Sequence, residues 1–356
     1  ISRNGDLAHR MYLEHDASFT QGSSDTLGIS CDYGSHVMKE CELEIGGQKI
    51  DKHYGHWHSV WSQLTEFNPS GSQTTLFNRM CGNGTGIDSA GGDVNGWDMT
   101  DASTTTAVGK FWIPLYFWFC RNPGLALPLI ALQYHEVKVK ITFEDIGKLI
   151  AFDTDADFDN SDNQSVGTAA NVTAAGTKFN LWADYIYLDT DERRRFAQVS
   201  HEYLIEQLQY ESKTGGGSMD LNFNHPVKEL IWAGVRATAV GVLIENLYDR
   251  NVISTGTYQL KLNGHDRFAA RDYRYFTRTQ VWQHHSGFGS TEVADTIAVY
   301  SFGLKPEEHQ PSGTCNFSRI DNAQLVDSST VDINVYAVNY NVLRIMSGMG
   351  GLAYSN

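Results

Sequence analysis

Apolar and polar residues alternate with a period of two along much of the chain, and the alternation stops where glycine, proline and asparagine make turns. Tyr300, Phe302 and Leu304 alternate with Ser301 and Gly303, which predicts a strand with one buried face. Lys305-Pro306 closes it, because proline has no N–H to give to a ladder. Gln310-Pro311-Ser312-Gly313 supplies a turn, and Cys315 and Phe317 resume the alternation toward Leu325, with Ile320 out of phase as a β-bulge would make it. Cys41, Leu43 and Ile45 alternate before Gly46-Gly47, and Leu260 and Leu262 before Asn263-Gly264, so each stretch predicts a hairpin.

These signals come in pairs. Residues 36–50 match 258–268. The aromatic run 115–119, with its Pro-Gly turn and residues 125–132, matches 300–304 with Pro311-Ser312-Gly313 and residues 315–325. Residues 182–188 match 335–342. Three matched pairs in one order predict a duplicated β unit, with a first domain over 1–189, a linker over 190–200 and a second domain over 201–356. Two short helices are expected outside the strands: 51–66, where Tyr54, Trp57 and Trp61 form an apolar stripe, and a polar connector over 189–198 that Thr190 or Asp191 could cap. Residues 68–109 and 153–176 are rich in Gly, Ser, Thr, Asn and Asp and read as long surface loops of the first half.

Composition sharpens this picture. A chain of 356 residues can bury two cores, and 33 glycines, 12% aromatics and only 19% charged residues suit strands and turns. The net charge of -15 would repel a polyanion. The one basic cluster, Arg193-Arg194-Arg195, follows Asp191 and Glu192 and reads as a salt-bridged connector; no direct contact with nucleic acid is expected. Five cysteines without CxxC spacing predict neither a zinc site nor a disulfide framework. The apolar run 111–120 is only half the ~20 residues of a membrane-spanning helix.

Catalytic and metal chemistry is sparse. His56-Trp57-His58 has the spacing of a strand-borne metal site, yet residues 59–63 hold no acid, and Ile50 stands where the pattern of cupin enzymes has glycine. His53, His56 and His58 are therefore expected on a solvated helix face. Asp153, Asp155, Asp157 and Asp159 alternate, but Phe158 and Gln164 occupy the glycine and bidentate-glutamate positions of a calcium loop, which leaves a solvated acidic loop. No P-loop, Rossmann or G-x-S-x-G motif occurs. Candidate glycan acceptors are Asn83, Asn163 and Asn171; a fourth sequon, at Asn316, falls in a strand.

Residues 300–325, the block Asn341 to Tyr354, the opening Ile1-Ser2-Arg3-Asn4-Gly5-Asp6-Leu7, and the blocks 42–54, 123–138 and 201–209 closely resemble the major capsid proteins of nucleocytoplasmic large DNA viruses, nearest to the phycodnavirus-type coats of algal viruses and also iridovirus-like. The blocks keep the family's order along essentially the whole chain. The resemblance implies an all-β fold of two consecutive eight-stranded antiparallel jelly-roll barrels, a double jelly roll with short helices in loops. It also implies an amino-terminal arm and a first strand ahead of Ile1, and glycans on outer loops, often away from sequons. Three chains would build a pseudo-hexagonal capsomer.

The expected function is structural: a major capsid protein that trimerises and tiles the icosahedral shell of a large dsDNA virus, with no catalysis and no cofactor. The expected partners are the chain itself, as a homotrimer and then in neighbouring capsomers, with minor capsid and penton proteins; an inner viral membrane would be met only indirectly. Assembly is expected in the host cytoplasm and residence in the virion. The rival reading is a jelly-roll glycan-binding or receptor-binding surface protein, which predicts sugar affinity without self-tiling.

Overall fold

The computed structural model describes the chain apart from residues 22–25, 31, 67–75, 84–96, 100–105, 154–163, 167–171, 174–176, 236–252, 254, 288, 290–294 and 355–356. The first half contains β1 (Leu7–Gln21), β2 (Met38–Ile45), β3 (Gln48–Tyr54), β4 (Thr106–Pro114), β5 (Val137–Phe143) and β6 (Lys178–Ile186). They lie in two antiparallel sheets, ordered β6-β1-β4 and β3-β2-β5. The second half contains β7 (His201–Lys213), β8 (Gly217–Asp220), β9 (Pro226–Val235), β10 (Thr257–Leu262), β11 (His265–Asp266), β12 (Ile297–Ser301), β13 (Ala323–Asp327) and β14 (Asp332–Met346). Its sheets run β7-β14-β9-β12 and β8-β13-β10-β11.

The two orders superimpose: β6-β1-β4 corresponds to β14-β9-β12, and β3-β2-β5 to β11-β10-β13. Strands β7 and β8 have no counterpart among the described residues of the first half. Alternating residues fill the space between each pair of sheets. Met11, Leu13, Leu43, Phe111 and Ile113 belong to the first core, and Leu230, Trp232, Tyr258, Leu260 and Leu325 to the second. The two hairpins turn as expected: Gly46 and Gly47 have φ of 59° and 86°, Asn263 and Gly264 of 51° and 78°.

Helix α1 (Gly55–Thr65) follows β3 directly, so the strand takes four of the residues expected to be helical. Gly55 permits the switch, because a Cβ there would lie 2.6 Å from the Met38 carbonyl oxygen. The aromatic run after β4 is not a strand. Pro114 ends the ladder and Trp118–Arg121 (α2) forms one helical turn, which buries Phe117, Trp118 and Phe119 together. Burial on every side had removed the polar spacing that distinguishes a strand from a turn of helix. Strand β12 ends at Ser301, earlier than the alternation suggested. The expected bulge near Ile320 is a 3-10 turn, Phe317–Arg319, and the Asn316 side chain accepts from the Ser318 amide at its start. Between the halves lies α3 (Thr190–Gln198), exposed and mostly polar, with Asp191 and Glu192 in the first turn where the helix dipole favours acids. In the second half a π-helical turn, Tyr275–Gln280, runs into α4 (Val281–His284).

Candidate functional site

The apolar stripe of α1 does not cover its own barrel. Trp57, Val60, Trp61 and Leu64 recur at helical spacing and pack with Ile231, Ala233, Val299, Tyr336 and Val338 on the outer face of the second half's β14-β9-β12 sheet. Trp57 and Tyr336 lie 5.1 Å apart, and the Tyr336 hydroxyl shares a hydrogen bond of 2.7 Å with His56 Nδ1. Each large aromatic buried here removes roughly 150–250 Å² from water, and at about 25 cal/mol per Å² that stabilises the contact between the halves by several kcal/mol per ring. The exchange runs both ways: Ile205, Leu343 and Ile345 of the second half enter the first core, and the Leu208 amide donates to Asp51 Oδ1 at 3.0 Å.

Charges are buried at the same junction. Glu206 on β7 accepts from Lys228 Nζ at 2.7 Å and from the Arg121 guanidinium of α2 in the other half. Burial would push this carboxyl up, but Arg121 and Lys228 hold it below the usual carboxylate range. Arg121 also lies over the Trp61 ring at 5.1 Å, and Lys228 over Tyr340 at 5.5 Å. Nearby, the His285 ring sits between Glu229 Oε2 at 3.1 Å and Glu307 Oε1 at 2.9 Å. Burial opposes its charge, yet the two carboxylates outweigh that and raise its pKa to about 9.

The expected solvated histidines are inside. His53 is on β3 and pairs with Asp51 Oδ2 at 2.9 Å, while His58 is buried with neither ring nitrogen hydrogen-bonded. Burial pushes His58 down to about 3 and His56 to about 4, so both are neutral. The expectation failed because the helix is covered on both sides: Tyr336 of the second half meets His56, and Tyr116 of the first meets His58. Among the described residues no group of three or more His, Cys, Asp or Glu is placed to hold a metal ion. Asn83 is 2% exposed; its amide accepts from the Ser35 backbone and donates to the Ser35 hydroxyl, where no sugar could be attached in the folded chain. Asn163, Asn171, Asp155, Asp157 and Asp159 lie outside the described residues. Cys41, Cys81 and Cys120 are buried free thiols, and Cys315 is half-buried and free.

One repeat escaped the sequence reading. Asp51, Tyr54, Val60 and Trp61 recur at the same spacing as Asp272, Tyr275, Val281 and Trp282, so α1 and α4 are equivalent elements, each placed after the second strand of a hairpin. The signal was the motif Asp-x-x-Tyr-x-x-x-x-x-Val-Trp, hidden by its weak alternation.

Comparison with known proteins shows what these two units are. The family model described as major capsid protein N-terminus matches residues 1–189, and that described as large eukaryotic DNA virus major capsid protein matches residues 192–351. The chain belongs to the major capsid protein family of large eukaryotic DNA viruses. It is 48% identical to the major capsid protein of Pyramimonas orientalis virus, covering 100% of this chain and 85% of the relative, and 36% identical to that of Paramecium bursaria Chlorella virus 1, covering 100% and 86%. A solved structure described as the PBCV-1 virus capsid, a quasi-atomic model, superimposes with a TM-score of 0.74 at 34% identity over 100% of this chain and 92% of that one. The fold is thus the double jelly roll of this family, and the chain is a structural subunit of a virion shell.

Proposed function

We propose that three copies of this chain join by closed rotational symmetry into a pseudo-hexagonal capsomer, and that such capsomers tile the shell without any catalytic role. The division is at 1–189 and 201–356, with residues 190–200 as the connector. The observation that carries the reading is the shared core under Trp57, Trp61 and Tyr336, which makes two similar barrels one rigid block. Three such blocks present six similar units, and a heterologous contact between them closes as a ring. Minor capsid and penton proteins would complete the shell, and any inner membrane would lie beneath it. Assembly belongs to the host cytoplasm, consistent with free buried thiols. Light scattering on the purified protein tests this: a mass of three chains is expected, and a monomer that stays monomeric at high concentration would overturn it.

A further inference from the structure

The molecule contains one half of a contact that it makes only once within itself. Helix α1 lays Trp61, 3% exposed, on the outer face of the second half's sheet. Its equivalent, α4, buries Val281 but leaves Trp282 80% exposed. The face that would receive it is also present and uncovered. On the first half's sheet Trp182 precedes the inward Ala183 as Tyr336 precedes the inward Ala337, and Trp182 faces Tyr12 across the ladder as Tyr336 faces Ile231. Tyr336 is fully buried, whereas Trp182 is 57% exposed, with Trp112 two strands away on the same face. Beside Tyr12 and Pro114 a cleft of about 470 Å³ opens, bounded by Phe77, Met80 and Tyr116.

We infer that Trp282 of one copy docks on the Tyr12–Trp182 face of the next, repeating between chains the junction that α1 makes within each. The occupant is a second copy of this chain, because the internal junction supplies the template for both surfaces. The surroundings differ from the template: where α1 has Trp57, the π-helical turn ahead of α4 carries Arg278, ion-paired with Asp295, and where the second sheet is apolar the first carries Glu14, ion-paired with Lys110. The helix patch and the sheet patch differ, so the contact is heterologous and closes as a ring, in which three intrachain and three interchain junctions alternate.

The inference rests on the trimer proposed above, and the test separates the two. The double variant Trp182→Cys with Trp282→Cys, oxidised and run without reductant, should give covalent species up to three chains that neither single variant gives. Trp282→Asp and Trp182→Asp should each lower the light-scattering mass threefold while the circular dichroism of a folded β protein is kept. A wild-type trimer that survives both aspartates and yields no cross-link would overturn this docking and leave the trimer standing. A wild-type monomer would overturn both.

Discussion

The outer sheet faces of the two halves have the same strand plan and opposite fates. In the second half, β14-β9-β12 is sealed by α1, and Tyr336, Ile231 and Val338 are core residues. In the first half, β6-β1-β4 presents Trp182 and Trp112 to solvent with Glu14 and Lys110 between them, the carboxylate bonded to the ammonium at 3.0 Å and to the Trp182 indole. A duplicated unit has therefore satisfied one copy of a contact internally and left the other available. The difference lies less in the receiving strands than in chain connectivity, which brings α1 to the sheet of the other half, whereas α4 packs Val281 on the sheet of its own half and leaves Trp282 exposed.

Two substitutions would break the comparison most severely. Trp61→Ala empties the interhalf core and should cost about 3–5 kcal/mol in urea unfolding; Trp282→Ala, its twin in the repeat, should change the stability of a single chain by less than about 0.5 kcal/mol. Equal losses would show that burial in one chain is not what separates them. Lys228→Ala leaves the buried Glu206 with Arg121 alone and should cost about 3–5 kcal/mol, the penalty of breaking a buried pair. Combining Lys228→Met with Glu206→Gln should recover most of it, and a cycle showing no coupling would mean that the network does not act as a unit.

How far the sequence spoke depends on which contacts are local. The hairpins at Gly46-Gly47 and Asn263-Gly264, and the alternation of Leu43 with Ile45 or Leu260 with Leu262, depend on neighbours a few residues away, and they were legible. Trp57 and Trp61 were legible as an apolar stripe, but not what the stripe covers, because Ile231 and Tyr336 are far along the chain. The histidines failed for the same reason: His56 is covered by Tyr336 of the other half and His58 by Tyr116, both far along the chain. The run 115–119 misled because an element buried on all sides carries no periodicity. Arg121 with Glu206, and His285 between two glutamates, gave no signal at all, since each pairing spans strands or halves.

His285 sharpens the comparison further, because its place in the repeat is held by Leu64 in the first half. Its folded pKa, raised to about 9 from the ordinary 6.5, means that the proton is bound more tightly in the folded state. The stabilisation is complete below about pH 6.5 and is lost as pH rises through about 9. Wild-type stability should fall across that window, and His285→Gln should be less stable at pH 6 but nearly flat through it. A wild-type profile parallel to that of the variant would remove the charge from the account.

The smallest expected effect is at the sheet edges. Strand β14 lies between β7 and β9, so its backbone groups are paired on both sides, whereas β6 pairs only with β1 among the described residues, apart from the chain ends. Half of the β6 amides therefore point away from any ladder and need only local opening to exchange, while β14 amides wait for wider unfolding. In hydrogen exchange on the purified protein, those outward amides of Lys178–Ile186 should exchange at least about tenfold faster than amides in the middle of Asp332–Met346, tenfold corresponding to about 1.4 kcal/mol of opening free energy. Strand β5 should behave like β6, because among the described residues it pairs with β2 alone, while its counterpart β13 lies between β8 and β10. If β6 and β5 proved as protected as β14 and β13, another strand would have to cover those edges in solution, and the asymmetry of the halves would then belong to the outer sheet face alone.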